Sequence, residues 1–280
     1  MVYCNCSVME EYCSPNKKFD FKNKTCFETK DLVEIAKAYN KWSKKVCLKN
    51  TCIVFNKIDT NLTKYKLLNE IKQRLKYLCE KEYCWLKLDF MKTLKNKDSL
   101  MYFTFKPKPT KNITTWFNTN NINEILQQYQ YFINGKKHSN YYKYIGAVPA
   151  DISEVSNFNW NELKNKYNCI SIVFNTDTHL NPGLHWTSCF INNKKNTVEY
   201  FDSLGKMPNK HIKQFLSHFK EYNFEYNNIQ FQSNEGTLCG LYACWFTIQK
   251  LKGKTFKEIQ NLNVSDNFMK KYITQVFRPK

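Results

Sequence analysis

Four residues in the C-terminal half have the types and order of a thiol hydrolase. Cys239 ends the stretch Gln232-Ser-Asn-Glu-Gly-Thr-Leu-Cys239-Gly240, where a polar loop runs into an apolar, helix-like segment. His185 stands beside Trp186, and Asp202 lies in Glu199-Tyr-Phe-Asp202-Ser203. A cysteine in the first turn of a helix meets unpaired N–H groups, and a neighbouring imidazolium adds to them; both favour the thiolate. The thiolate attacks a carbonyl carbon, His185 protonates the leaving amine, and water resolves the acyl-enzyme. Asp202 accepts the N–H of one ring nitrogen, which frees the other for the thiol proton and stabilises the imidazolium. The tetrahedral oxygen needs donors, and the Cys239 backbone N–H and the Gln232 side-chain amide are candidates. One such donor is worth about 3 kcal/mol. Gly240 removes a side chain where substrate approaches. This chemistry requires no metal and no cofactor.

These residues must be brought together by strands and a helix. Leu184–Asn192 and Asn196–Ser203 read as a hairpin joined by Asn192-Asn-Lys-Lys195. A turn centred between Asn193 and Lys194 sets His185 directly opposite Asp202 on one face, with Cβ atoms roughly 5 Å apart. A slip of one residue puts them on opposite faces. Cys169-Ile-Ser-Ile-Val-Phe174 is a β-branched apolar run of strand length. Asn175–Gly183 is a polar loop closed by Pro-Gly. Helices are predicted over Ile122–Ile133, with Gly135 as its stop, over Asn159–Tyr167 and over Pro208–Tyr222. A strand is predicted at Ile229–Ser233, and the cysteine helix over Leu238–Lys252.

Other residues of the same types have plainer assignments. Cys169, Cys189 and Cys244 read as small core residues. His179, His211 and His218 read as surface histidines. Asp177 could replace Asp202, but it lies in a loop before the histidine.

The N-terminal part differs in character. Helices are expected at residues 30–45, with Leu32, Ile35, Ala36 and Tyr39 on one face, and through Leu67, Leu68, Ile71, Leu75 and Leu78. Phe105-Lys-Pro-Lys-Pro-Thr-Lys-Asn-Ile-Thr114 denies helix and sheet pairing alike. It separates a mainly helical, Lys- and Cys-rich domain, residues 1–115, from a second domain, residues 116–280. The net charge is +19. It is spread along the chain with a bias to the first domain, and it attracts polyanions. No apolar run is long enough to span a membrane. The N-terminus lacks the pattern of a secretory signal, so the chain is not expected to be secreted. The twelve cysteines are therefore expected as thiols. Cys47, Cys52, Cys79 and Cys84 could supply zinc ligands, but their spacing is wider than that of usual zinc knuckles.

Asn175-Thr176…Gly183-Leu-His185-Trp186, Glu199-Tyr-Phe-Asp202-Ser203-Leu-Gly205 and Gln232-x6-Cys239-Gly240-Leu-Tyr together resemble the adenain-type cysteine proteases. That group includes the adenovirus protease, the maturation proteases of large DNA viruses of the African swine fever virus type, and the SUMO-specific proteases. The resemblance covers roughly residues 122–255, and the first 115 residues match nothing in it. It implies an α+β fold, with the Cys-bearing helix packed on a central mixed sheet in a papain-like core. It implies catalytic His185, Asp202 and Cys239, with Gln232 in the oxyanion hole. Trp186 and Gly240 would belong to a substrate cleft so narrow that only glycine passes. The expected activity is cleavage of viral capsid and core precursors at Gly-Gly-X or Gly-X sites during virion maturation, in the host cytoplasm and in the virion. The adenovirus member uses DNA as a cofactor, and the charge of +19 is compatible with DNA as partner and activator here. A monomer is expected, with no membrane partner. Two other functions fit parts of the sequence. One is an effector protease acting on SUMO or ubiquitin conjugates. The other is a basic nucleic-acid-binding virion protein on a decayed protease scaffold, against which the intact His185, Asp202, Gln232 and Cys239 argue.

Overall fold

The apolar run Cys169–Asn175 (β2) forms the second strand of a five-stranded sheet and is buried on both faces. Its neighbours are Tyr142–Val148 (β1) and Trp186–Asn192 (β3); Thr197–Phe201 (β4) and Asn223–Tyr226 (β5) follow in chain order. β1 and β2 run parallel, as do β4 and β5, and the inner pairs are antiparallel. In this computed structural model residues 12–279 are described, except 16, 18–19, 44–46, 49–50, 53–55, 110–115, 131, 134–135 and 138–140. Gly135 and residues 110–114 of the Pro-Lys segment therefore lie outside the described residues.

Each face of the sheet has its own apolar layer. Ile170, Ile172 and Phe174 join Cys189, Ile191, Val198 and Tyr200 under the helices Trp160–Lys166 and Lys210–Leu216. Cys169, Val173, Phe190 and Phe201 face the other way, against the helix Cys239–Leu251. That helix is buried at every position but Lys250, as a helix apolar all round must be. It packs on β3 and also touches the helices Thr119–Leu126 and Asp266–Val276. The α+β class and the central mixed sheet carrying the cysteine helix are as the sequence implies.

Several details differ from expectation. The hairpin turn is centred one residue later, so that Asn192 pairs with Thr197 and Ser188 with Phe201. Continued to the open end, this register sets Thr187, not His185, opposite Asp202. The displacement is even, so His185 and Asp202 stay on the same face. The helix predicted to reach Ile133 stops at Leu126 and tightens into a 3₁₀ turn, Gln127–Tyr129. Ile229–Ser233 is not a strand, and the helix before it ends at Leu216 with a 3₁₀ turn through Phe219. The last strand of the sheet is instead Asn223–Tyr226, ended where the Asn227 side chain bonds Asp202 and Ile229.

The chain divides into two compact units, Met1–Lys106 and Pro107–Lys280. In the first, Leu32, Ile35, Ala36 and Tyr39 are buried on the helix Thr29–Ser43, and Leu67, Leu68, Ile71 and Leu75 on Lys64–Leu75. Leu78 lies beyond that helix and is exposed. The expectation of free N-terminal thiols is corrected in part: Cys13 bonds Cys26 and Cys79 bonds Cys84, across Cα separations of 5.4 and 6.1 Å. Both separations suit a disulfide. Cys169, Cys189, Cys239 and Cys244 are free and buried.

Candidate active site

Cys239 is the first residue of its helix, after a Leu238 cap that lends no side-chain bond. Its N–H therefore has no carbonyl four residues back to bond. The His185 side chain hydrogen-bonds Cys239 on one side and Asp202 on the other. Nε2 lies 2.7 Å from Asp202 Oδ1. The acid thus takes Nε2–H, and Nδ1 is the nitrogen left for the thiol. Burial opposes a charge on this ring, but the bonds to Asp202 and Cys239 outweigh it and push the pKa up to about 9.

Asp202 lies just past the end of β4, buried, and its position is fixed through its backbone. Its N–H donates to Asn227 Oδ1 at 2.8 Å, and its carbonyl accepts from Asn227 Nδ2 at 2.6 Å. Asn227 Nδ2 also donates to the Ile229 carbonyl at 2.9 Å. Asp202 Oδ1 accepts a second bond from the Leu204 N–H, 2.8 Å. Asn227 is fully buried, and nothing in the sequence singles it out. An asparagine between a strand and a loop looks like any turn residue until its partners are known.

Gln232 is buried in one orientation. Its Oε1 accepts from Ser203 Oγ at 2.9 Å, and its Nε2 donates to the Gly236 carbonyl at 2.6 Å. A carbonyl can only accept, so the amide is placed without ambiguity, and one Nε2 hydrogen remains for another acceptor. The backbone N–H groups of Phe231 and Gln232 both donate to the Ser203 carbonyl. Ser203 thus joins the acid's loop to the glutamine's loop.

Trp186 is buried, and its indole N–H donates to the Phe117 carbonyl at 2.7 Å. It lines a groove of about 560 Å3 with Phe117, Leu184 and the loop after β2. Gly240 corrects an expectation: what it makes room for is Phe117. A Cβ there would lie 2.7 Å from Phe117 Cβ and 3.3 Å from Ile122 Cδ1. The glycine lets the helix N-terminus approach the segment that anchors Trp186. Gly183, at φ +97°, has a separate reason: its missing Cβ would collide with Asn175 Nδ2. Asn175 Oδ1 accepts from the N–H groups of Asp177 and Leu184, which folds the loop back toward His185. Asp177 is engaged there with Asn181 at 2.9 Å, and is not the partner of His185.

Comparison with known proteins gives the family. Residues 88–279 match the Ulp1 protease family, C-terminal catalytic domain. A thiol protease of Acanthamoeba polyphaga mimivirus is 32% identical over 276 residues, covering 90% of this chain and 88% of that protein. A cysteine protease of African swine fever virus is 22% identical over 275 residues, covering 88% of this chain and 98% of that protein. A crystal structure of an African swine fever virus protease, in its selenomethionine form, is similar in fold. Its TM-score is 0.59 at 18% identity, over 98% of this chain and 100% of that one. The chain belongs to the Ulp1 protease family and is a cysteine protease.

Proposed function

We propose that this protease cleaves structural precursor proteins of a large DNA virus after glycine, with Cys239 as nucleophile, His185 as acid–base and Asp202 as its orienting acid. The observation that carries the reading is the file Cys239–His185–Asp202, in which the two ring nitrogens of His185 are divided between thiol and carboxylate. Cys239 gives its proton to Nδ1 and its sulfur bonds the substrate carbonyl carbon. The C–N bond then breaks as His185 returns that proton to the leaving amine. Water, deprotonated by the same nitrogen, releases the acyl group and restores the thiol. The Cys239 N–H and the remaining Gln232 Nε2 hydrogen stabilise the oxyanion. Trp186, fixed by Phe117, stands next to His185, where a rigid ring restricts the residue whose carbonyl is attacked. The precursor assignment leans on the viral relatives, and the enzyme would then act at the assembly site and in the virion.

A SUMO-directed activity is the second reading, favoured by the family match and by African swine fever virus relatives described as SUMO-1 cysteine proteases. One experiment separates the two. The enzyme is given a Gly-Gly-X peptide and a SUMO fusion of equal concentration, with Cys239→Ala as control. Preference for the peptide by kcat/KM supports precursor processing; preference for the fusion overturns it. Cleavage that persists in Cys239→Ala refutes the mechanism. DNA as activator is tested by adding unrelated duplexes at low and high salt, and no change in rate at low salt dismisses it.

A further inference from the structure

The loop between Gln232 and Cys239 has at its two ends the groups proposed above as oxyanion donors, the Gln232 side-chain amide and the Cys239 N–H. Inside the loop a turn closes with the Gly236 N–H on the Ser233 carbonyl at 2.9 Å. From outside, one carboxylate reaches both ends. Asp266 Oδ2 accepts from Ser233 Oγ at 2.5 Å and from the Ser233 N–H at 3.2 Å. Asp266 Oδ1 accepts from the Tyr242 hydroxyl at 2.9 Å. Ser233 follows Gln232 directly, and Tyr242 lies in the first turn of the helix that Cys239 begins.

An acid in the first turn of a helix ordinarily serves that helix's own N-terminus. The helix Asp266–Val276 is capped by Ser265, whose Oγ accepts from the Phe268 N–H at 3.4 Å. Both Asp266 oxygens are turned instead to the cysteine's loop and helix. Hydrogen bonds to a carboxylate are roughly twice as strong as neutral ones. Tyr242 is buried, and its burial and the carboxylate together push its pKa up, so its hydroxyl stays a donor. Its one hydrogen has two acceptors in reach, Asp266 and the Phe231 carbonyl at 3.1 Å, and both belong to the same junction. Gly236 closes the contact. A Cβ there would lie 2.7 Å from Gln232 Cγ and 3.1 Å from Asp266 Oδ2, and the Gly236 carbonyl takes one Gln232 Nε2 hydrogen. The loop is thus folded between the glutamine and the carboxylate.

Resting on the oxyanion reading above, we propose that Asp266 is a positioning residue for the reaction: it clamps the Gln232 loop to the cysteine helix and so sets the spacing of Gln232 Nε2 and the Cys239 N–H. Asp266 acts through these two groups and not on the substrate. The oxyanion exists only once the thiolate has added to the carbonyl, so donors aimed at it lower the barrier without holding the substrate. Loosening the clamp therefore shows in kcat and not in KM.

Asp266→Asn tests this, because it keeps the volume and one acceptor oxygen and so can hold Ser233 or Tyr242 but not both. On a Gly-Gly-X peptide its kcat is expected to fall about tenfold, part of the roughly 10²-fold that a 1 Å misplacement costs, with KM unchanged. Tyr242→Phe keeps the ring and frees only the helix end, and a smaller loss in the same direction is expected. A Gly-Gly peptide aldehyde, whose adduct with Cys239 puts an oxygen between the same donors, should lose affinity in Asp266→Asn by the same factor as kcat. Alkylation of Cys239 by iodoacetamide across pH, followed by mass spectrometry of its peptide, should be unaltered. The thiol and His185 are untouched by the variant, and an intact profile also shows that it is folded. An unaltered kcat in Asp266→Asn, a loss confined to KM, or an alkylation rate that falls in step with kcat overturns the proposal. Gln232→Ala is measured in parallel. If it is impaired and Asp266→Asn is not, the clamp alone fails. If Gln232→Ala keeps full kcat, the oxyanion reading fails and the clamp with it.

Discussion

Replacing Asp202 by asparagine isolates what the acid does for His185. The ring is buried, which alone disfavours its charge, yet its pKa stands at about 9 against an ordinary 6.5. That difference is roughly 3 kcal/mol in favour of imidazolium. Asp202 contributes a hydrogen bond and a charge, and Cys239 the remainder. An amide keeps the volume and can still accept from Leu204 but removes the charge, so the His185 pKa is expected to drop toward 6.5. Because His185 must hold a proton to expel the leaving amine, activity is lost as pH rises through its pKa. The alkaline limb of kcat/KM on a Gly-Gly-X peptide is therefore expected near pH 9 in the wild type and well below it in Asp202→Asn. The rate at neutral pH should fall on the order of 10²–10⁴-fold. The same linkage affects stability. A raised folded-state pKa stabilises the protein fully below about 6.5, and that contribution disappears as pH climbs to about 9. Thermal melts across this window should slope downward in the wild type and less so in the variant. An alkaline limb that stays near 9 in Asp202→Asn would refute the assignment of the raised pKa to Asp202.

If Gln232 serves the oxyanion as proposed, Gln232→Ala should lower kcat on the order of 10²–10³-fold with little change in KM; an effect confined to KM would remove it from that role. Asn227→Ala should cost about 2–3 kcal/mol in chemical denaturation, through orphaned groups at Asp202 and Ile229. It should also lower kcat, and full activity in a folded variant would show that Asp202 needs no such clamp. Gly240→Ala should destabilise by about 1–3 kcal/mol through overlap with Phe117. Unaltered melting would mean that the Phe117 segment yields without cost.

The parts of the site legible in the sequence are those carried by periodicity and by local chemistry. Cys239 stands out because a polar loop meets an apolar helix there. His185 and Asp202 can be matched because the alternation of a hairpin preserves a face even when the register is displaced by two, as it is here. Features that depend on distant partners are illegible. Tyr142–Val148 does not read as a strand because its burial comes from β2 and from the helices above it. Asn227 and Ser203 are short polar residues whose roles exist only through groups brought from elsewhere in the chain. The expectation for Gly240 fails for a related reason: proximity in sequence to the nucleophile says nothing about which side of the helix faces Phe117.

The sheet's strands lie side by side in the order in which they occur in the chain. Its contacts therefore close between near neighbours, the arrangement that folds with small loop-closure cost. His185 and Asp202 belong to one hairpin and are both present once residue 202 has been made. The thiol comes later, and its helix is buried against partners that extend to Val276. A chain made only as far as residue 202 thus lacks both the Asn227 side chain that holds Asp202 and the thiol itself. The cysteine helix is therefore expected to reach its full packing only once the helix ending at Val276 is in place.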